Sequence, residues 1–230
     1  MSALTNSLGS FTKSSIGRKI IVAVTGLALV LFLAGHLTGN LLIYAGQEAF
    51  DEYAHFLHTF LHGTGVWIAR LGLLVCFGAH LWFTILLTRE NKAARKGYAH
   101  QATVQAPKSS LIMIWSGLTI LAFVIFHLLH FTVRTDAELA KIGAESPWKM
   151  VIIGFQNPLV SLFYIIAMTL LCSHLAHGVA SIFQTLGLRS NRTAGPIRIF
   201  AKAYAAVIYF GFISIPLAIL LFGYGSDAVK

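Results

Sequence analysis

Charged side chains are scarce in this sequence: 11% of its 230 residues are charged, whereas 57% are hydrophobic. Soluble globular domains have about 25% charged residues and roughly 45–50% apolar residues. The mean hydropathy of +0.75 is also strongly apolar. The composition therefore excludes an ordinary soluble domain and predicts an integral membrane protein.

Cysteine is almost absent as well. The two cysteines are Cys76 and Cys172, and each lies within an apolar run. This usage excludes a disulfide framework, a Cys-x-x-Cys metal site and the attachment motif of a c-type haem. We expect both residues to be small, buried, apolar side chains.

Long apolar runs, in contrast, are abundant. About 20 helical residues are needed to cross the hydrocarbon core of a membrane, and five segments meet this requirement. They are Ile20 to Ala45, Val66 to Thr88, Leu111 to Val133, Leu159 to Gln184 and Ala203 to Gly223. The connecting segments are too short for a soluble domain. The sequence therefore predicts one all-α transmembrane domain, residues 1–230, built as a bundle of five helices.

Positive charge is concentrated on one side of the predicted membrane. The formal net charge is +9, from 17 Lys and Arg against 8 Asp and Glu. Twelve of these cations precede the first span or lie in the second and fourth loops: Lys13, Arg18, Lys19, Arg89, Lys92, Arg95, Lys96, Lys108, Arg189, Arg192, Arg198 and Lys202. By the positive-inside rule the N-terminus is cytoplasmic and the C-terminus is external. The same rule explains the net charge, so no nucleic acid partner is expected.

The first outer loop has the periodicity of an amphipathic helix between Glu48 and His62. Polar and apolar side chains recur on separate stripes at helical spacing. The polar stripe is Asp51, His55, His58 and His62, and the apolar stripe is Phe50, Ala54, Leu57 and Leu61. This pattern predicts an interfacial helix. Its three histidines fit a solvated face, a quinone or proton-handling site, or a zinc site.

Six histidines lie inside the predicted spans, where ionisable side chains are costly and mark function by default. They are His36, His80, His127, His130, His174 and His177. At 1.5 Å per residue, His36 and His127 both lie 16 residues, or roughly 24 Å, from the cytoplasmic ends of their spans. His80 and His174 lie 8 and 10 residues from those ends, or roughly 12 and 15 Å. The heights therefore predict two level pairs on four helices.

Two histidines at one height on different helices can supply both axial imidazoles of one haem iron, so two level pairs predict two stacked b-type haems. His130 and His177 each follow a candidate ligand by three residues and share its helix face, which makes them candidates to support the ligands. Nearby glycines would let a porphyrin approach the helix backbone: Gly35, Gly39, Gly78 and Gly178. The alternative interpretation is polar packing without a cofactor.

At these residues the sequence resembles a known family, the di-haem cytochrome b membrane anchors of succinate dehydrogenases and fumarate reductases, in their single-chain, five-helix form. The run from Thr25-Gly26-Leu27 to Gly35-His36 is similar to the first ligand helix of that family. Gly46-Gln47-Glu48-Ala49-Phe50 and Ala54-His55-Phe56 are similar to its outer segment. His80 lies at the second ligand position, the spacing from Gly117 to His127 fits the third, and His174-Leu175-Ala176-His177-Gly178 resembles the fourth-ligand motif. The similarity covers nearly the whole chain.

The resemblance implies a ligand set, partners and a location. In it, His36 and His127 bind the outer haem, and His80 and His174 bind the inner haem. It also implies that a flavoprotein subunit and an iron-sulfur subunit dock on the cytoplasmic face of a prokaryotic cytoplasmic membrane, with menaquinone as the expected quinone. A dimer of such heterotrimers is compatible with it.

Two positions depart from the family pattern. Some relatives have a carboxylate in the outer segment where this chain has His58. Some fumarate reductases have a glutamate two residues before the fourth ligand, where this chain has Cys172. A transmembrane proton pathway through Cys172 is therefore not expected.

The resulting hypothesis is electron transfer between a membrane quinone and a cytoplasmic iron-sulfur partner, with the dicarboxylate chemistry in another subunit. The quinone is expected to react near His55 and His58, beside the apolar stripe of the outer segment. Arg70 and Arg134, near outer helix ends, are expected to pair with haem propionates or lipid headgroups. Two alternatives stay open: the cytochrome b subunit of a hydrogenase or formate dehydrogenase, and a histidine-lined proton or metal transporter.

Overall fold

The structure, a computed structural model, describes residues 9–95 and 113–229, and these residues form helices and no strand. The helices are α1 (Ser15–Leu41), α2 (Gln47–Thr59), α3 (Thr64–Arg95), α4 (Met113–His127), α5 (Ala137–Glu145), α6 (Pro147–Gln156), α7 (Pro158–Thr185) and α8 (Ala194–Phe222). α4 continues as a π-helical turn, Leu128–Val133. Among these described helices, five are long and apolar enough to cross a membrane, namely α1, α3, α4, α7 and α8, and this confirms the predicted all-α architecture with five spans.

Two of the observed helices extend well beyond the predicted spans. α3 ends at Arg95 rather than Thr88, and α8 begins at Ala194 rather than Ala203. Hydropathy marks the residues that suit hydrocarbon, whereas helical backbone hydrogen bonding continues into the polar region beyond it. Four residues of the sequence prediction lie outside the described residues: Lys96, Lys108, Leu111 and Ile112.

α1 packs against three other spans, α3, α7 and α8. Near its start, Arg18 forms an ion pair with Glu90 of α3, and the hydroxyl of Ser15 donates to the same carboxylate over 3.2 Å. Farther along, the hydroxyl of Tyr204 on α8 donates to the backbone carbonyl of Val30 over 2.5 Å. These contacts fix the depth of α1 relative to α3 and α8.

The two ends of the bundle differ in charge and in structure. The end at which α1 begins carries Arg18, Lys19 and Arg89, and we call it the basic end. The opposite end carries the short helices α2, α5 and α6, and we call it the capped end. α5 and α6 occupy the outer loop in which the sequence predicted no helix. Both are too short to cross a membrane, so a search for runs of about 20 apolar residues misses them.

α6 is buried at the capped end. Its Trp148 donates through Nε1 to the carbonyl of Ile43 over 3.1 Å, and the hydroxyl of Tyr224 donates to the same carbonyl over 2.8 Å. Burial, together with the neighbouring Tyr44, raises the pKa of Tyr224 above its ordinary value, so this phenol stays a hydrogen-bond donor. The carbonyl of Ile43, just after the end of α1, therefore links α1 to the segment after α8.

Candidate cofactor-binding site

A cavity of about 2100 Å³ runs through the bundle between α1, α3, α4 and α7. Its walls are mostly apolar, and it extends from Lys19 and Arg89 at the basic end to His58 and Arg70 at the capped end. Pockets for one drug-sized ligand typically have about 300–1,000 Å³, so this cavity is larger than one such ligand needs. Five of the six intramembrane histidines line it: His36, His80, His127, His174 and His177.

The capped half of the cavity brings His36 of α1 next to His127 of α4. Their ring centroids are 5.8 Å apart and the ring planes meet at 83°. Each imidazole also packs against a phenylalanine of its own helix, since the ring of Phe32 lies 5.2 Å from His36 and the ring of Phe123 lies 5.7 Å from His127. The two histidines predicted as one level pair are therefore neighbours in an aromatic environment.

His130 takes a different position from His127. Its ring packs on Phe131 with centroids 4.0 Å apart, and a methyl group placed on Gly154 would lie 3.2 Å from its Cε1 atom. His130 is not among the described residues that line the cavity. His130 lies in the π-helical turn that follows His127, where the rotation per residue differs from that of an α-helix. The hydroxyl of Tyr164 on α7 reaches both, at 3.3 Å from Nδ1 of His127 and 3.1 Å from Nδ1 of His130.

The basic half of the cavity contains the second pair of histidines. Nδ1 of His80 on α3 lies 3.2 Å from the hydroxyl of Thr25 on α1. Nδ1 of His174 on α7 lies 3.3 Å from the hydroxyl of Ser116 on α4. His177, one turn farther along α7, lines the same cavity. Each histidine of this pair therefore contacts a hydroxyl on a neighbouring helix.

The two pairs lie at two levels of the bundle. Thr25 and Ser116 mark the level of the pair in the basic half, and His36 and His127 mark the other level. On both α1 and α4 the hydroxyl residue precedes the histidine by eleven residues. α1 and α4 run in the same direction, so at 1.5 Å per residue the levels are roughly 16 Å apart on both helices.

The outer segment differs in part from the prediction. The predicted helix from Glu48 to His62 ends at Thr59, because the backbone of Leu61 and His62 turns into the left-handed region, with φ values of 52° and 53°. His55 and His58 are both exposed, and of the two His58 lines the cavity whereas His55 does not.

A zinc site in this segment gains no support from the structure. Within residues 9–95 and 113–229, no group of three or more His, Cys, Asp or Glu side chains is placed to hold a metal ion. Asp51, predicted on the same polar stripe, instead accepts from the hydroxyl of Ser146 over 2.6 Å and from the backbone N–H of Trp148 over 2.8 Å. Asp51 therefore anchors the start of α6 and does not share a solvated face with the histidines.

The two outer arginines occupy different environments. Arg70 lines the cavity, and its guanidinium carbon lies 5.1 Å from the centre of the Trp67 ring, in a cation–π contact. Arg134 packs against Gly143 of α5, because a methyl group there would lie 3.2 Å from its guanidinium. Its Nε is buried and has no hydrogen-bond partner in the described part of the chain. Arg70 therefore faces the candidate site, and Arg134 is packed beneath the cap.

Sequence reasoning missed the polar partners of the histidines, which are Thr25, Ser116 and Tyr164. A signal for two of them is present. Thr25-Gly26 and Ser116-Gly117 are both hydroxyl–glycine pairs, and each lies eleven residues before a histidine on its own span. Tyr164 carries no such signal, because its contacts depend on how α7 packs against α4.

No protein-family model, no curated protein and no solved structure matches this chain. A functional conclusion therefore depends on the cavity and on the side chains that line it.

Proposed function

We propose that this chain is the di-haem cytochrome b membrane anchor of a succinate:quinone or quinol:fumarate oxidoreductase. In this role it passes electrons between a membrane quinone, expected to be menaquinone, and a cytoplasmic iron-sulfur subunit. A flavoprotein subunit performs the dicarboxylate chemistry. The observation that carries the proposal is the placement of two histidine pairs at two levels of one apolar cavity, on four different spans.

The residues present fit two haem groups. An imidazole nitrogen binds a first-row metal at about 2 Å, so two imidazoles on one metal have centroids roughly 6 Å apart, close to the 5.8 Å between His36 and His127. Gly35, one residue before His36, has nothing within 4 Å of the position of an added methyl group. At Gly26 such a methyl would lie 3.2 Å from Cε1 of His80. Glycine thus keeps the backbone open beside one candidate ligand of each pair.

The residues of this chain bind the two haems, keep water away from them and orient the ligands. When bound, the two haems supply one-electron carriers across the apolar interior. His36 with His127 and His80 with His174 would hold them, and the apolar wall of α1, α3, α4 and α7 excludes water from the path. His130 and His177 are assigned supporting positions, because the first packs away from the cavity and the second adjoins His174.

The quinone is assigned to the capped end of the cavity, between α2 and α3. Tyr53, Leu57 and Arg70 line this part together with His58, so an apolar side chain and an aromatic ring lie beside the imidazole. Nδ1 of His58 lies 2.8 Å from the carbonyl of Ala54. A carbonyl can only accept, so Nδ1 of His58 carries the hydrogen and Nε2 keeps a lone pair that can take up or return a proton. His55, which does not line the cavity, is the weaker of the two predicted candidates.

The iron-sulfur partner is assigned to the basic end. The positive-inside rule makes this end cytoplasmic, with the N-terminus on the same side and the C-terminus outside. Lys19, Arg89 and Lys92 line the mouth of the cavity there. Arg89 follows His80 by nine residues on α3, or roughly 14 Å, and this separation suits electron exchange with a docked partner.

Quantification of haem as the pyridine haemochrome, with identification of co-purifying proteins, tests the proposal. We expect two haems b per chain, together with a flavoprotein and an iron-sulfur protein. A colourless preparation would contradict the proposal and favour a histidine-lined proton or metal transporter. Haem with a co-purifying metalloprotein in place of the flavoprotein would favour a hydrogenase or formate dehydrogenase.

A further inference from the structure

Hydroxyl groups contact three of the four proposed ligand histidines at Nδ1. A hydroxyl has one hydrogen to donate and two lone pairs with which to accept. The destination of that one hydrogen therefore decides whether the imidazole nitrogen beside it must donate or accept. A histidine that binds iron through Nε2 needs its hydrogen on Nδ1, and a partner that accepts this hydrogen fixes both the tautomer and the ring orientation.

The hydroxyls of the basic half already donate to backbone carbonyls. Thr25 donates to the carbonyl of Ile21 over 2.7 Å, and Ser116 donates to the carbonyl of Met113 over 3.0 Å. Their oxygens can therefore only accept from the neighbouring imidazoles. His80 and His174 consequently carry hydrogen on Nδ1 and keep the lone pair of Nε2 free.

Tyr164 faces two imidazoles with one hydrogen. Its hydroxyl lies within reach of Nδ1 of both His127 and His130, so its own hydrogen finds an acceptor there only if it accepts from one imidazole and donates to the other. His127 lines the cavity beside His36, whereas His130 does not. With His127 as the donor, the hydroxyl hydrogen goes to Nδ1 of His130, and the hydrogen of His130 is then on Nε2.

We propose that Thr25, Ser116 and Tyr164 are positioning residues that hold His80, His174 and His127 in the tautomer competent to bind iron, and that Tyr164 at the same time holds His130 in the tautomer that cannot. This inference rests on the proposed function. It assigns a role to His130 that differs from simple packing, because His130 is the end point of a directed chain from His127 through Tyr164.

His36 lacks an equivalent hydroxyl contact among the described residues. The amide nitrogen of Asn40 donates to the backbone carbonyl of His36 over 2.7 Å and lies 3.4 Å from Nδ1 and 3.5 Å from Nε2 of the same residue. An amide nitrogen is a donor and cannot accept the Nδ1 hydrogen. The outer pair is therefore asymmetric, with its positioning contact on the His127 side.

Redox titration of each haem in substituted holo-protein tests the proposal. An acceptor at Nδ1 raises the basicity of a metal-ligating histidine, which favours ferric iron. Tyr164→Phe should therefore shift the midpoint potential of the outer haem to more positive values and leave the inner haem unchanged. Ser116→Ala should shift the midpoint potential of the inner haem to more positive values and leave the outer haem unchanged. Loss of such a partner typically lowers metal affinity about 10- to 100-fold, so each variant should also release its own haem more readily.

Conservative variants distinguish a positioning role of the hydroxyl group from a packing role of the whole side chain. Ser116→Thr and Thr25→Ser keep the hydroxyl and should retain wild-type potentials and low-spin electron paramagnetic resonance signals. Thr119→Val removes a hydroxyl that donates to the carbonyl of Trp115 on the same helix as Ser116, and it should change neither haem.

Failure of the proposed function and failure of the positioning role would give different results. Wild-type protein without haem would contradict the proposed function itself. Haem-loaded Tyr164→Phe and Ser116→Ala proteins with unchanged potentials and resonance signals would overturn only the positioning role. If Tyr164→Phe does not accumulate, Ser116→Ala and Thr25→Val, compared with their hydroxyl-retaining counterparts, decide the question at the inner haem.

Discussion

The imidazole of His36 on α1 meets the imidazole of His127 on α4 edge to face, at 5.8 Å between centroids. If these two side chains share one iron, removing either should have the same effect, because each iron needs both axial ligands. We expect His36→Ala and His127→Ala to lose the same spectroscopic haem, and His80→Ala and His174→Ala to lose the other. Optical spectra of the reduced proteins measure this.

His130→Ala is the matched control for that prediction, since His130 lies three residues from His127 but packs on Phe131. It should retain both haems. Loss of the outer haem in His130→Ala, with retention in His127→Ala, would reverse the ligand assignment.

A second prediction concerns topology. Reporter fusions after Lys96 and Arg192 should read cytoplasmic, and fusions near Glu52 and Ser146 should read external, because positive residues are retained on the cytoplasmic side. An external signal at Arg192 would be incompatible with the proposed orientation and would place the basic end outside.

The third prediction concerns the quinone site. His58→Leu should slow quinone-linked turnover about 100-fold or more, since general acid–base groups typically contribute about 10²–10⁴-fold to rate. Haem spectra and dye-linked succinate oxidation by the flavoprotein should stay unchanged. His55→Leu is the control, because His55 does not line the cavity and its replacement should leave turnover near the wild-type rate. Unaltered turnover in both single variants and in the double variant would move the site to the basic end, near Arg18.

The fourth prediction concerns the anchor of α6. Asp51→Ala leaves the backbone N–H of Trp148 and the hydroxyl of Ser146 without their acceptor. An unmet buried hydrogen bond of this kind costs about 1–3 kcal/mol. We expect a lower thermal unfolding temperature and faster proteolysis in the loop that contains α5 and α6. Glu52→Ala, one residue away and exposed, should stay within about 0.5 kcal/mol of wild type.

The fifth prediction compares two glycines. A methyl group on Gly39 would lie 2.6 Å from Cε1 of Tyr53, whereas one on Gly72 would have nothing within 4 Å. Gly39→Ala should therefore destabilise the protein by about 1–3 kcal/mol through overpacking. Gly72→Ala should be neutral or stabilising by up to about 1 kcal/mol, from helix propensity. Thermal unfolding of the two variants in the same detergent gives the comparison, and equal unfolding temperatures would contradict the close approach of α2 to α1.

The five spans could be predicted from the sequence because hydropathy over about 20 residues records the thickness of hydrocarbon. That scale contains no information on where a helix continues into the polar region, so Arg95 and Ala194 could not be predicted as ends. It also misses α6, whose ten residues are mostly apolar but pack against other helices instead of lipid. The caps Asp136 and Ser146 were the local signals for α5 and α6.

The histidines of the candidate site could be grouped by depth, because helical rise converts sequence position into height. Depth alone favoured His127 over His130 but could not show that His130 lies in a π-helical turn, a rare form of helix. The contacts of Tyr164 could not be predicted from the sequence for another reason. Its two contacts depend on the rotation of α7 against α4, which is decided by packing over the whole bundle.

α6 is held in place by earlier residues, such as Asp51, and also by residues that are synthesised after it. The ring of Trp148 lies 6.3 Å from the ring of Tyr224, and a methyl group on Gly225 would lie 2.8 Å from both Trp148 and Ile152. Translation proceeds from the N-terminus, so the chain that covers α6 does not yet exist when α6 leaves the ribosome. The contacts of Tyr224 and Gly225 with α6 can therefore form only after α8 has been synthesised. Completion of the cap is a late event of assembly, because it follows synthesis of the last span.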